Sequence, residues 1–353
     1  MRVGNWQRSF CAPRDVPLGF ASVRLDYRSH HPLYTTWMTA EHVIQAQTFS
    51  GHESFPLRFT WLTKAVRGCE PPKHRDLFAR DDGMVRLGVG KNMVRSIRFW
   101  GLSTAVLAED EPVGRQSRHC PTRLGAFLFG ERGKDPFMED PATVWLLHWQ
   151  LATNRRLGTW HWLFNELRAA EFRKPEIVRE LLTRANRNGS KTVAVDTIER
   201  DLDCLLRTYV PSDPDKRLSR EELLDCPLTE LGLIRRAGDR DTFAFVRAAH
   251  DSLPSSVFLF ALLSFWDIAA PKSNSLRFDQ IAFAAGSPGT VFKFTENALI
   301  DRLHRISTDS DGAIRFDETS GLRQVLRSKR TDPFPALRRH YVTRREVRDA
   351  DSR

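Results

Sequence analysis

The chain has 353 residues, 41% of them hydrophobic, and its 54 Lys and Arg outnumber 44 Asp and Glu to give a formal net charge of +10. That length allows roughly two or three hydrophobic cores, and no run approaches the roughly 18 apolar residues of a membrane-spanning helix, which excludes a helical membrane protein. The cationic balance favours an anionic partner, nucleic acid first, against the plainer reading of an ordinary basic protein.

Residues 1–37 carry scattered arginines and little apolar periodicity, and they contain no continuous apolar core of a secretory signal. They are expected to be disordered or a start-site artefact, with the working protein starting at Met38. The five cysteines, at 11, 69, 120, 204 and 226, include no Cys-x-x-Cys pair. Neither a disulfide framework nor a zinc ribbon is indicated, and reduced thiols in the cytoplasm are expected. Cys204, among Leu202, Leu205 and Leu206, reads as a core filler.

From Met38 onward, three stretches share one order of helix, short strand and Gly-marked turn. In the first, Met93, Ile97 and Trp100 form a helical stripe, followed by Thr122-Arg123-Leu124-Gly125 and a short apolar stretch, Phe127 to Phe129. In the second, Pro175 opens a helix that Asn188-Gly189 ends. Asp196 to Glu199 then resembles a capping box, ahead of a stripe of Ile198, Leu202, Leu205, Leu206 and Tyr209. Thr229-Glu230-Leu231-Gly232 echoes the earlier Thr-x-Leu-Gly, and a hairpin is expected around Gly238. In the third, Thr295 begins a helix with Leu299, Leu303 and Ile306, and two short strands follow Asp311-Gly312. Between these lie apolar helices at Pro141 to Ala152 and Val257 to Trp266, in whose surroundings His148 and His161 read as satisfied core histidines.

The expected fold is therefore mainly α with short β-hairpins, an α+β protein of tandem winged-helix-like units around aromatic core helices. The expected boundaries are 38–135 for an N-terminal unit carrying the candidate active site, 136–250 for a central unit, and 251–328 for a C-terminal unit. Residues 329–353 read as a solvated basic tail that could touch phosphates.

Two segments can carry chemistry. Phe49-Ser50-Gly51-His52-Glu53-Ser54-Phe55-Pro56-Leu57-Arg58 offers an imidazole and a carboxylate in sequence, able to move a proton or bind a divalent metal. Both reach one site only if the chain turns there, which Gly51 permits. A helix N-terminus explains the segment equally well. In Leu87 to Arg98, Gly88 and Gly90 precede a helix whose N-terminus could hold a phosphate. Lys91, Arg95 and Arg98 make one basic stripe suited to a phosphate backbone. A solvated helix face is the alternative, and the pattern is not a P-loop, because Asn92 stands where Ser or Thr is needed. Asp201, with Glu199 and Asp203, is placed on the polar face of its helix, where these acids oppose phosphate binding by Arg200 and Arg207. Asp81-Asp82 could bind magnesium but reads first as a turn.

Together with Glu139-Asp140-Pro141-Ala142, Trp145 to Trp149, Asp201 to Val210 and Gly286-Ser287-Pro288-Gly289, these segments resemble an uncharacterised-domain family over about residues 47–328. That family is similar to SspB of the Ssp DNA phosphorothioation systems, in which sulfur replaces a non-bridging phosphate oxygen on one DNA strand. The resemblance implies an Mg2+-assisted DNA nickase acting on double-stranded DNA in phosphorothioation or phage defence. It also implies partner proteins: a cysteine desulfurase, a PAPS-reductase-like protein and an ATPase. Under it, His52 and Glu53 become the catalytic candidates and Glu53 the metal ligand. Arg58, Gly88, Gly90, Lys91, Asn92, Arg95 and Arg98 become the phosphate contacts. A non-catalytic DNA-binding adaptor and a transcriptional regulator of such a locus are the other readings.

Overall fold

The computed structural model describes residues 47–70, 75–114, 116–188, 192–212, 226–319 and 321–351. The expectations for residues 1–37 and for a start at Met38 fall outside them. The described chain is α+β and divides into two compact units, residues 60–137 and residues 47–59 with 138–351.

In the smaller unit, helix α1 (Trp61–Cys69) buries Trp61, Leu62, Ala65, Val66 and Cys69, the spacing of one apolar helix face. Helix α2 (Gly83–Leu87) stops at Gly88, whose φ of 64° is left-handed and therefore suits glycine. Gly90 then starts α3 (Lys91–Ser103), which buries Val94, Ile97 and Trp100. An antiparallel hairpin follows, β1 (Leu107–Val113) against β2 (Gln116–Pro121), with Leu107 opposite Pro121. Its first strand, Leu-Ala-Glu-Asp-Glu-Pro-Val, lacks apolar alternation, so it carries no strand signal in sequence.

Phe127 to Phe129 are not a strand but the end of α4 (Arg123–Phe129), which Thr122 caps by accepting from the Gly125 N–H at 3.0 Å. A side chain at Gly125 would meet the Val106 carbonyl at 2.0 Å. Thr229, in the echoing motif, lies inside a 3-10 turn and bonds the Cys226 carbonyl instead. The two Thr-x-Leu-Gly motifs are thus alike in sequence and different in structure.

The larger unit is built on α5 (Pro141–Thr153) and α6 (Gly158–Asn165). Asp140 caps α5 by accepting from the Ala142 N–H at 2.9 Å, and Pro141 takes the first turn, where its missing N–H costs nothing. His148 on α5 is fully buried. Its Nε2 donates to the Val291 carbonyl at 3.0 Å and its Nδ1 accepts from the Tyr209 hydroxyl at 2.9 Å. Burial lowers its pKa to about 3, so it is the neutral core histidine that the sequence suggests.

Two modules of like order surround these helices. The first runs β3 (Glu171–Arg173), α7 (Lys174–Asn188), α8 (Val195–Tyr209), β4 (Ile234–Arg236) and β5 (Thr242–Phe245), with sheet order β3-β5-β4. The apolar helix α9 (Ser255–Ala269) comes next, buried without a break from Val257 to Trp266. The second module runs β6 (Ser275–Arg277), α10 (Phe278–Phe283), α11 (Pro288–Val291), α12 (Glu296–Asp309), β7 (Ile314–Thr319) and β8 (Leu322–Arg327), with sheet order β6-β8-β7. In both, the last strand lies between the other two. Thr295 caps α12 as expected. No side chain caps α8, so Asp196 to Glu199 is not a capping box.

Two further expectations are corrected. Phe334–Asp351 form α13, in which Phe334, Leu337 and Tyr341 are buried. The Tyr341 hydroxyl lies 2.7 Å from Thr143 Oγ1, so the beginning of this segment is docked rather than solvated. Cys69, Cys204 and Cys226 are buried free thiols, but Cys120 is disulfide-bonded, so the thiols are not all reduced.

Lys293 is also buried, with φ of 53°. Its Nζ donates to the Phe164 carbonyl at 2.7 Å and lies 4.0 Å from the centre of the Phe245 ring. Burial lowers its pKa from 10.5 to about 7, with Arg247 and Arg168 adding repulsion. Between those values the unfolded chain holds a proton that the folded chain does not. Unfolding free energy should therefore rise with pH across that window and flatten below it. Urea titrations at several pH values should show this rise in the native chain and a smaller one in Lys293→Met; equal slopes in both would count against a depressed pKa.

Candidate functional site

The segment from Phe49 to Arg58 belongs to the larger unit. Thr48 anchors it, with its N–H donating to the Arg156 carbonyl at 2.7 Å while its own carbonyl accepts from the Gly158 N–H at 3.1 Å. Phe49 packs so closely here that a Cβ on Gly158 would lie 2.3 Å from its ring. The chain then turns sharply, with positive φ at Gly51, Glu53 and Ser54. Non-glycine residues hold that conformation only where surrounding contacts determine it.

Those contacts come from α8. His52 is 3% exposed; its Nδ1 accepts from the Ser54 N–H at 2.9 Å, and its Nε2 donates to Asp201 Oδ1 at 2.9 Å. Acceptance at Nδ1 fixes the tautomer with the proton on Nε2. One turn along, Cys204 Sγ donates to the Phe55 carbonyl at 3.4 Å. One turn further, Arg207 Nη2 donates to the Ser54 carbonyl at 2.6 Å. Asp201, Cys204 and Arg207 recur every third residue and thus line one helix face. Asp201 is not on the polar face where the sequence places it. It is 2% exposed, and burial raises its pKa against the opposing hydrogen bond from His52. Burial also raises the Cys204 thiol pKa well above its ordinary value, consistent with a core filler.

His52 thus has both ring nitrogens engaged inside the protein, a geometry that serves positioning of the loop. Glu53 is half-buried at the tip, and the half-buried Arg58 stacks over the Phe55 ring at 5.8 Å.

The second segment belongs to the smaller unit. Lys64 Nζ donates to the Leu87 carbonyl at 2.8 Å and holds the end of α2 ahead of the Gly88–Gly90 turn. Lys91, Asn92, Arg95 and Arg98 are exposed on α3, while Ile97 and Trp100 are fully buried on the other side. The helix has the expected amphipathic form, basic outside and apolar inside. The two candidate segments therefore fall in different compact units, each with its own scaffold.

Within the larger unit, a cavity of about 350 Å³ opens between α8 and the β4–β5 hairpin. It is lined by Lys174, Asp203, Arg207, Arg236, Arg240 and Asp241, among others. The sequence signal for this cavity is the expected hairpin around Gly238, which carries Arg235, Arg236 and Arg240 at and beside its turn.

A family model described as "Protein of unknown function (DUF4007)" matches residues 49–341. The chain belongs to this family. A crystal structure of SspB is similar at 27% identity and a TM-score of 0.75, covering 83% of this chain and 88% of the other. A crystal structure of magnesium-ion-bound SspB is similar at 28% identity and a TM-score of 0.74, with the same coverage. Curated proteins show no significant match. The chain is SspB-like in sequence and fold.

The donor set of this DUF4007 chain bears on a metal. Among the described residues, no group of three or more His, Cys, Asp or Glu side chains could hold an ion. Among the described residues near the loop, His52 and Asp201 are spent on each other, and Glu53 without them does not make a resident metal site. Asp82 bonds Arg80 at 2.7 Å and Arg86 at 2.6 Å, contacts that hold its carboxyl well below the usual range. It acts in an ion-paired turn.

Replacing Asp201 by Ala would leave the buried His52 Nε2–H without its acceptor. The expected loss of stability is about 1–3 kcal/mol, read by urea unfolding. A loss near zero would show that the pair does not hold the loop.

Proposed function

We propose that this SspB-like chain is the DNA-engaging subunit of a DNA phosphorothioation or phage-defence system and that it nicks one strand of double-stranded DNA. The observation that carries the reading is α3, which exposes Lys91, Asn92, Arg95 and Arg98 and buries Ile97 and Trp100. A helix of 13 residues is about 20 Å long and fits a major groove roughly 12 Å wide. No acidic residue occupies its first turn and no side chain caps it, so its positive end suits a phosphate.

The β1–β2 hairpin follows α3, and each module of the larger unit ends in a similar hairpin. We read the three as winged-helix-like units, each presenting a helix and a wing, over the expected ranges 38–135, 136–250 and 251–328. On this reading it acts in the cytoplasm, beside a cysteine desulfurase, a PAPS-reductase-like protein and an ATPase.

For nicking, Glu53 is the proposed acid–base group and Arg58 a proposed phosphate contact. His52 is a positioning residue, since proton transfer from it would disrupt the bond to Asp201 or Ser54. Magnesium commonly binds through one or two carboxylates together with substrate phosphates, so Mg2+ is proposed only as an ion arriving with DNA. The engaged His52 and the lack of a three-ligand cluster among the described residues favour a second reading, a non-catalytic DNA-binding adaptor.

Fluorescence anisotropy with a labelled duplex across a salt series tests DNA engagement. The combined Lys91→Ala, Arg95→Ala and Arg98→Ala variant should lose affinity, and its salt dependence should become shallower by about 0.9 per phosphate contact removed. No duplex binding by the native chain would overturn the DNA reading. Conversion of supercoiled plasmid to open circle, with Mg2+ present and abolished in Glu53→Gln, separates nickase from adaptor. Tight binding without any open circle would establish the adaptor.

A further inference from the structure

We infer that the cavity between the C-terminal half of α8 and the β4–β5 hairpin seats a backbone phosphate of nucleic acid, giving the larger unit its own DNA contact beside the His52–Glu53 loop. This rests on DNA being the partner, as proposed above.

The charge arrangement is the first support. Lys174 Nζ lies 2.7 Å from Asp203 Oδ1, so one cation and one carboxylate of the lining neutralise each other. Arg207, Arg236 and Arg240 then face only Asp241 among the lining carboxylates. The three remaining cations are arginines, whose planar fork of N–H donors matches phosphate oxygens better than an ammonium does.

The second support is prior positioning. Arg207 Nη2 is held by the Ser54 carbonyl at 2.6 Å. The Arg236 guanidinium lies 5.6 Å from the centre of the Phe243 ring, and its Nη1 reaches the Arg240 carbonyl at 3.5 Å. Phe243 is 3% exposed and is paired in register with Phe172 on β3 and Arg236 on β4, so the stacked guanidinium rests on a fixed base. A guanidinium has five N–H donors, and one carbonyl contact leaves others for a ligand. A cavity of about 350 Å³ is near the small end of ligand sites and suits a phosphate with its sugar.

Arg207 belongs to both the cavity lining and the loop. Its partner, the Ser54 carbonyl, directly follows Glu53, so a strand held at Arg207 runs against the loop that carries the proposed acid–base group. Within the loop's own unit the adjoining basic cradle is Arg207, Arg236 and Arg240.

The test is the Arg236→Gln, Arg240→Gln variant of the full chain, both side chains being exposed, with near-ultraviolet circular dichroism to check its fold. Anisotropy with a labelled 20-base-pair duplex should show about 10-fold weaker binding near 0.1 M salt, and a salt slope shallower by roughly 2 for two lost contacts. Arg240→Lys alone, which keeps the charge, should show most of the native affinity. Native-like affinity and slope in the double variant overturn the inference, and AMP binding at the cavity with duplex binding unchanged does so in favour of a free-nucleotide site. If the native chain binds no duplex, the proposed function itself falls. A failure confined to the double variant, with the α3 variant still defective, falls on the cavity alone.

Discussion

His148 lies inside the larger unit with no solvent to turn to, and a buried imidazole must be neutral and fully hydrogen-bonded to be tolerated. It meets both demands by joining α5 to two other elements, through the Tyr209 hydroxyl at the end of α8 and the Val291 carbonyl of α11. The aromatic rings of Trp145, Phe164, Tyr209 and Phe292 surround it. One polar group thus ties the central helix to both strand–helix–hairpin modules, and its geometry depends on all three being in place. Networks of this kind specify an arrangement because any other packing leaves a donor or acceptor unpaired at low dielectric.

The orientation of α8 follows from that tie. With Tyr209 and the Ile198, Leu202 and Leu205 stripe turned into the core, Asp201, Cys204 and Arg207 come to the Phe49–Arg58 loop in order. The loop's backbone passes through positive φ at three of four consecutive residues, and its own bonds from the Ser54 and Phe55 N–H groups to His52 do not tie it to the rest of the unit. The His52–Asp201 hydrogen bond, the Cys204–Phe55 contact and the Arg207–Ser54 bond hold it instead. An imidazole beside a carboxylate in sequence suggests proton transfer. The fold places a different carboxylate, Asp201, against the imidazole and leaves Glu53 half-buried at the tip.

Charge in this protein works by local pairing more than by total. The acids on α8 argue against phosphate binding when they are counted along the sequence. In space Asp201 is buried against His52 and Asp203 is neutralised by Lys174. Arg207 is left beside two hairpin arginines that lie about 30 residues away in sequence. On α3 the reverse holds: the basic residues form one exposed face by helical periodicity alone.

The contrast shows how much of this chain was legible. Helical periodicity revealed α3, α8 and α12, and glycine punctuation revealed the turns at Gly88, Gly238 and Gly312, because these signals are local and the backbone obeys them before any core exists. The family signature was likewise readable from residue order. The β1–β2 hairpin was not, because an acid-rich strand declares itself only through its partner. Nor was the docking of α13, because Phe334, Leu337 and Tyr341 are too sparse to stand out from an arginine-rich segment. By itself the sequence determined the class of fold, the family and the basic face of α3. Only the tertiary structure decided that His52 is a pin on Asp201 and that Arg207, Arg236 and Arg240 share a cavity, because both depend on side chains distant in sequence meeting where water is excluded or enclosed.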